Sequence, residues 1–248
     1  MASPKTFQLI GHRGFPAMAP ENTLSSIDLA IEAEADMIEI DVSFTRDKKI
    51  VVIHDDTLQR TTNGKGKVRD MNWSVIEKLD AGSWFSEEFE GEGVPLLKDV
   101  LEKVALSQMP LNIEIKSESV GSELSGGIEE QVLEMVRREY QLKQVVFSSF
   151  SSLAVRRIKQ LEPHSSSALI LEHELSQDPM YLIQDLSIDA IHMNQKKTTS
   201  SHVEVCKQAG LTVRCYTVND PRRMQDLRNM GVDGIFTDDL SLMKAAIS

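Results

Sequence analysis

Nowhere does this chain hold about 20 consecutive apolar residues, the length that a membrane-crossing helix needs. Its opening Met-Ala-Ser-Pro-Lys carries one cation ahead of only a short apolar run, which is too little for a secretory signal. Cysteine is scarce as well. Cys206 and Cys215 are the only two in 248 residues, so there is no disulfide framework, and their spacing is not the C-x-x-C of a metal or redox motif. Both read as inert thiols, one on a helix face and one in a strand. Cations are outnumbered, 27 Lys and Arg against 38 Asp and Glu, for a formal net charge of −11. General affinity for nucleic acid or an anionic bilayer is therefore disfavoured, and positive charge in any site must be local. Low-complexity tracts are missing too. The expectation is a cytoplasmic protein with a small-molecule partner, no nucleic acid and no stable membrane association, its oligomeric state left open.

What is present is ordinary globular material, 41% apolar and 26% charged, long enough for a sizeable core. Eight β-rich runs stand out, over residues 7–12, 37–42, 111–116, 145–149, 167–171, 189–194, 212–218 and 234–237. Most are separated by stretches of helical periodicity, over 22–35, 97–106, 128–140, 151–161, 179–186, 200–209, 221–230 and 240–247. Boundary residues agree: Asp220-Pro221 and Ser151 open helices, while Gly210 and Gly231 close them. Eight β/α units in this order predict a closed parallel (β/α)8 TIM barrel, residues 1–248 forming one domain, with a doubly wound open sheet as the lesser option.

One connection breaks the rhythm. About seventy residues separate the second and third strands, far more than a usual crossover. They start with Ile50-Val51-Val52-Ile53, joined to the second strand by a linker that suits a hairpin. A turn centred on Asp47-Lys48 would pair Asp41 with His54. Residues 55–95, rich in glycine and carrying Trp73, Trp84 and Phe85, read as a small insertion over one barrel end, closing a pocket.

Charge appears where a barrel strand should be apolar, in Ile38-Glu39-Ile40-Asp41 and Ile113-Glu114-Ile115-Lys116. The two-residue period puts Glu39 with Asp41, and Glu114 with Lys116, on one face. In an antiparallel sheet that face would be solvated. In a parallel barrel, covered on both sides, such charges must be paired or metal-bound. Three carboxylates without Cys, and without a histidine cluster at ligand spacing, favour a hard divalent ion, Mg²⁺ or Ca²⁺, over zinc. Glu39, Asp41 and Glu114 are thus the candidate metal ligands. His12 ends the first strand and His54 lies across the hairpin. Either alone would read as a polar core residue, but two at one rim beside a metal site read as an acid–base pair. Arg13 and Lys116 offer fixed charge for a phosphate, unless they only pair with neighbouring carboxylates. Among the other histidines only His192 lies on a strand, as core packing or as pocket lining. In Pro20-Glu21-Asn22-Thr23, Asn22 or Thr23 caps a helix, and Arg60 anchors its loop.

Together His12-Arg13-Gly14, Pro20-Glu21-Asn22-Thr23, Glu39-Ile40-Asp41, His54-Asp55 with Arg60-Thr61-Thr62, Glu114-Ile115-Lys116, Thr217-Val218-Asn219 and Gly231-Val232-Asp233-Gly234 resemble the glycerophosphodiester phosphodiesterases over nearly the whole chain. Length and the segment Asp80-Ala81-Gly82-Ser83-Trp84-Phe85 look most like the short cytosolic bacterial enzymes. The resemblance implies a barrel of the phospholipase C-like phosphodiesterase type. It implies hydrolysis of glycerophosphodiesters, such as glycerophosphocholine or glycerophosphoethanolamine, to sn-glycerol 3-phosphate and an alcohol. In that scheme one divalent ion (Mg²⁺ or Ca²⁺, with Mn²⁺ an option) is held by Glu39, Asp41 and Glu114. His12 and His54 exchange protons through a cyclic phosphate, with His12 expected as base and His54 as leaving-group acid. Arg13 and Lys116 match phosphate-side residues, and Tyr216 stands where many relatives carry Trp beside the substrate. The alternatives are a lysophospholipase D-like phosphodiesterase and a non-catalytic glycerophosphate-binding barrel.

Overall fold

In the second strand, Met37–Phe44, every residue is buried, yet its side chains divide cleanly. Ile38, Ile40 and Val42 join the main apolar cluster with residues of the surrounding helices, while Glu39 and Asp41 point the other way, toward the barrel interior. This division by alternate residues organises the whole molecule. The computed structural model of the chain describes residues 7–122 and 125–247, so the opening stretch read above as lacking a leader lies outside the described residues.

Eight parallel strands close on themselves: β1 (Gln8–Gly11), β2 (Met37–Phe44), β4 (Leu111–Ile115), β5 (Val145–Ser149), β6 (Ser166–Leu171), β7 (Ala190–Asn194), β8 (Thr212–Tyr216) and β9 (Gly234–Thr237). β1 pairs with β2 on one side and β9 on the other, so the barrel has no free edge. The short β3 (Ile50–Val52) adds antiparallel to the end of β2. Around the barrel run α1 (Leu24–Glu32), α3 (Leu97–Ser107), α4 (Ile128–Glu139), α5 (Ser152–Leu161), α6 (Pro179–Leu186), α7 (Ser200–Gln208), α8 (Pro221–Asn229) and α9 (Leu240–Ile247), and α2 (Trp73–Ile76) belongs to the long connection. Among the described residues no helix is long and apolar enough to cross a membrane.

The expected boundary residues do their work. Thr23, Ser151 and Asp220 cap α1, α5 and α8 by accepting a backbone N–H two or three residues on. Gly210 and Gly231 follow their helices with φ of 85° and 91°. Both cysteines are buried, Cys206 in α7 and Cys215 in β8, and burial pushes each thiol up to about 11, which keeps them unreactive.

The hairpin differs by one residue from the expected register. Val42, Ser43 and Phe44 face Val52, Val51 and Ile50, so Asp41 lies opposite Ile53, whose N–H donates to the Asp41 carbonyl at 3.0 Å. His54 is not its partner. The cause is the turn. Thr45 and Lys49 close a three-residue loop, with Lys48 in the left-handed region at φ 59° and the Lys49 N–H held by Thr45 Oγ1 at 2.9 Å, rather than a two-residue turn centred on Asp47-Lys48. Beyond β3 the insertion builds a small core of its own from Val51, Ile53, Leu58, Val68, Ile76, Ala81 and Val94. Its residues, with Glu21, Asn22 and Thr23 ahead of α1, close a small pocket that His54 also lines.

Candidate active site

The C-terminal ends of β1, β2 and β4 meet at one rim of the barrel, the face where strand ends and loops bring side chains from separate units together. In the β2–β4 ladder Asp41 sits beside Glu114, and Glu39 beside Asn112. The inward faces of the two strands therefore deliver Glu39, Asp41 and Glu114 to a single point, and each offers an oxygen within 4.8 Å of the others. All three are buried, at 3%, 1% and 9% exposure.

Three carboxylates at that spacing repel, and their ionisation is uneven. Burial, then the charges of Asp41 and Glu114, push Glu39 well above the usual carboxylate range. Burial and Asp41 likewise raise Glu114, to about 7, against the pull of Lys116. Asp41 goes the other way. Burial opposes its charge, but Lys116, Arg13 and His54, with a hydrogen bond from Asn22, hold it well below the usual range. A buried all-oxygen donor set that cannot carry its full negative charge unaided is the chemistry of a hard divalent cation site, so these residues fit such an ion.

Arg13 and Lys116 are both committed to this cluster. Lys116 Nζ donates to Glu114 Oε1 at 2.8 Å and to Asp41 Oδ1 at 3.2 Å. Arg13 gives its backbone N–H to Glu39 Oε2 at 2.8 Å and its Nη1 to Glu21 Oε1 at 2.6 Å, and its Nε lies 3.5 Å from Asp41 Oδ2. The local sequence makes this possible. Arg13 occupies the left-handed region at φ 57° and Gly14 follows at 94°. The turn is bolted to α1, because Ser26 Oγ accepts from the Phe15 N–H and donates to the Arg13 carbonyl. Gly14 packs so closely there that a Cβ would lie 2.3 Å from Ser26 Oγ.

Each of the two histidines is held by an aspartate. His12 Nδ1 lies 2.7 Å from Asp238 Oδ1, and His54 Nδ1 lies 2.6 Å from Asp55 Oδ1. Two acceptors would repel at that distance, so Nδ1 carries a proton in both rings, and Nε2 is the atom left to take a proton or, in a protonated ring, to give one. Asp238 is itself fixed, since Asn219 Nδ2 donates to its Oδ2 at 2.6 Å and Asn219 Oδ1 accepts the Asp238 N–H at 2.8 Å. Asp55 is gripped by Arg60, which also holds Glu21. Arg60 thus anchors its loop, as expected. His54, despite the shifted register, stays near enough to Asp41 to feel its charge. Burial is the larger effect and lowers its basicity.

Sequence reasoning missed Asp238, Asp55, Glu21, Asn22 and Asn219 as supporting residues. Asp55 directly follows His54, so adjacency was the available signal. Asn219 belongs to Thr217-Val218-Asn219, but its partner could be found only with the barrel closed. Thr23 caps α1, whereas Asn22, at φ 57°, exchanges two hydrogen bonds with Asp41 instead, through its amide nitrogen and its oxygen. His192 lines the pocket after all. It is buried beside Phe236 with ring centroids 4.8 Å apart, and its Nε2 has no hydrogen-bond partner among the described residues.

That pocket is bounded by His12, Glu39, Asn112, Glu114, His192 and the rings of Phe150, Tyr216 and Phe236. Tyr216, at the end of β8, donates its hydroxyl to the Leu171 carbonyl at 2.7 Å and presents its ring. The site therefore combines a buried carboxylate cluster, paired cations and two imidazoles, one of which borders the pocket. That set can neutralise an anion and move protons around it.

A sequence model described as the glycerophosphoryl diester phosphodiesterase family matches residues 12–242. The chain is 38% identical over 231 residues, 93% of each chain, to a glycerophosphodiester phosphodiesterase of Caldanaerobacter subterraneus subsp. tengcongensis. Among solved structures it is similar to an Oleispira antarctica phosphodiesterase in complex with the product sn-glycerol 3-phosphate, with a TM-score of 0.90 and 31% identity over 97% of this chain and 96% of that one. A glycerophosphodiester phosphodiesterase of Agrobacterium tumefaciens superposes at 0.84, with 30% identity over 97% of this chain and all of the other (100%). With the match running from His12 at the end of β1 into the last helix, the chain belongs to the glycerophosphoryl diester phosphodiesterase family.

Proposed function

We propose that this site hydrolyses glycerophosphodiesters, glycerophosphocholine and glycerophosphoethanolamine among them, to sn-glycerol 3-phosphate and an alcohol, with the help of one divalent cation. The observation that carries the reading is the buried cluster of Glu39, Asp41 and Glu114 at a rim that also holds two carboxylate-oriented histidines. The product bound by the Oleispira antarctica relative supports the same chemistry. Residues 1–248 act as one barrel domain in this reading, and residues 55–95 form an insertion that supplies Asp55 and Arg60. The setting is cytoplasmic.

Glu39, Asp41 and Glu114 would hold Mg²⁺, Mn²⁺ or Ca²⁺. Such an ion supplies positive charge to the phosphate oxygens and relieves the repulsion among the three carboxylates. Arg13 and Lys116, aligned by Glu21, Asp41 and Glu114, bring further charge to the phosphate side. Tyr216 forms a wall beside the substrate. One imidazole takes the proton of the glycerol 2-hydroxyl as that oxygen attacks phosphorus. The other gives a proton to the departing alcohol oxygen, leaving a five-membered cyclic phosphate. In the second half the roles reverse, as water loses a proton to the imidazole that acted as acid and the 2-oxygen regains one from its partner. The depressed basicity of His54 suits it to the base role in the ligand-free enzyme, opposite to the sequence expectation. Asp55 and Asp238 keep both rings aimed through each exchange.

The test is a panel of glycerophosphodiesters assayed in EDTA and again with each metal restored, reading alcohol or phosphate release. Activity should require a divalent ion and disappear in folded His12→Ala and His54→Ala proteins. Metal-independent turnover would defeat the reading. Equal cleavage of diesters lacking the 2-hydroxyl would remove the cyclic step, and preference for lysophosphatidylcholine over glycerophosphocholine would favour the lysophospholipase D-like alternative.

A further inference from the structure

Between α4 and α5, outside the barrel wall, a guanidinium is buried that has no part in the rim. Arg157, on α5, is 5% exposed, and Glu129, in the first turn of α4, is 1% exposed. Arg157 Nη1 donates to Glu129 Oε1 at 3.3 Å. Its shorter contacts go elsewhere. Nη1 also donates to the Gly121 carbonyl at 2.7 Å, and Nη2 donates to the Ser122 carbonyl at 3.1 Å. Both carbonyls belong to the loop that leaves β4 just after Lys116.

A buried ion pair is a poor way to add stability, since well-packed apolar residues of similar volume often hold a fold as well or better. This one is costlier still, because Arg157 Nε has no hydrogen-bond partner among the described residues. What the planar fork of a guanidinium supplies is position, here two loop carbonyls fixed at once from a packed helix. The loop passes that fixation on. Ser117–Ser119 form a single tight helical turn, in which the Ser119 N–H donates to the Lys116 carbonyl at 3.0 Å and the Val120 N–H to the Ser117 carbonyl at 3.2 Å. The Phe44 N–H donates to Ser119 Oγ at 3.0 Å, and Val120 packs against the main apolar cluster. Lys116 is therefore the joint between β4 and a braced turn. Its own N–H donates to the Val42 carbonyl at 3.2 Å, and its ammonium reaches Asp41 and Glu114.

We propose that Arg157 is a positioning residue for Lys116: by gripping the Gly121 and Ser122 carbonyls, with Glu129 as its counter-charge, it holds the loop after β4 in place and so keeps the Lys116 ammonium on the carboxylate cluster. The proposal rests on the glycerophosphodiester reading above for what Lys116 does there. It adds a residue outside the rim on which that role depends.

Two measurements on the full chain test it. Backbone hydrogen–deuterium exchange of the metal-free protein reads the brace directly. In Arg157→Met the Lys116 and Ser119 amides should exchange about tenfold faster than in the wild type, relative to the amides within β4, so that a general loss of stability cancels. Steady-state kinetics on sn-glycero-3-phosphocholine, at saturating divalent metal, read the consequence. Arg157→Met should lower kcat/KM about tenfold, and Arg157→Lys, which keeps the charge but not the fork, should fall between it and the wild type. Ile158→Val, which thins the packing of the same helix without touching the loop, should keep the wild-type value. In a Lys116→Ala background, adding Arg157→Met should cost nothing more, since the residue it positions is gone. If Arg157→Met does not fold, Arg157→Lys carries both measurements with smaller effects. Unchanged relative exchange at Lys116, or losses that simply add in the double variant, overturn the proposal while the glycerophosphodiester reading stands. If the wild type cleaves no glycerophosphodiester with any divalent metal, that reading falls, and the exchange rates alone decide whether Arg157 holds Lys116.

Discussion

Asp238 touches neither cluster nor cavity, yet it decides where His12 points. An imidazole that must give and take protons at Nε2 works only if Nδ1 is held, and Asp238 holds it at 2.7 Å with both of its own oxygens engaged. In Asp238→Asn a single side-chain oxygen remains for two donors, the His12 Nδ1–H and the Asn219 amide, so the ring loses its fixed orientation together with the carboxylate charge beside it. The expected result is a kcat lower by about 100-fold, with KM changed far less. Steady-state kinetics on a glycerophosphodiester, together with a circular dichroism spectrum matching the wild type, would check it. Full activity would mean that His12 is not aimed in this way. The residues legible in the sequence were those that broke a pattern. Glu39, Asp41 and Glu114 interrupt strands that should be apolar, and His12 and His54 sit at strand ends. Asp238 broke none. It follows the last strand as an ordinary loop or cap residue would, 226 positions from its partner, and no local rule links residues so far apart.

Among elements, the turn between β1 and α1 carries the heaviest demands. It must bring Arg13 to the carboxylate cluster, His12 to the rim and Ser26 beneath both, and Gly14 is the residue on which it pivots. Gly14→Ala would put a methyl group 2.3 Å from Ser26 Oγ and 2.8 Å from the Ser26 backbone carbon, at a φ of 94° that alanine resists. A loss of about 1–3 kcal/mol is expected, read from urea denaturation midpoints. Activity should fall as well, since the displaced Ser26 would release the Phe15 N–H and the Arg13 carbonyl. All eight barrel strands were legible because buried parallel strands read as short apolar runs between helical ones, and capping residues such as Ser151 and Asp220 marked the joints. The register of the β2–β3 hairpin was not. It depends on whether Lys48 takes a left-handed conformation, a choice of about 1–2 kcal/mol for a non-glycine residue, and the sequence between Thr45 and Lys49 is compatible with a two- or a three-residue loop.

For the molecule as a whole, the acidic cluster couples stability to pH and to metal. Without metal, burial and Asp41 raise Glu114 to about 7, and burial also raises Glu39, from an ordinary value of 4.5. The folded state then binds protons that the unfolded state releases, so these groups destabilise the fold progressively as pH climbs from about 4.5 through about 7. His54 and His192, whose basicity burial lowers, add stability as pH rises to about 6.5, so in EDTA the fall in Tm should show between about pH 6.5 and about pH 7.5. Divalent metal, which binds the deprotonated carboxylates, should flatten that fall, and the gap between the two thermal denaturation curves should widen with pH. Coincident curves would leave the cluster without a metal. The closed barrel has a further consequence, in time rather than space. β1 is completed only by β9, and His12 is aimed only by the residue that follows β9. A nascent chain that has not yet reached β9 already carries both histidines and all three carboxylates, yet its barrel is open and His12 is unaimed, so no turnover is expected until that strand and the residue after it are in place.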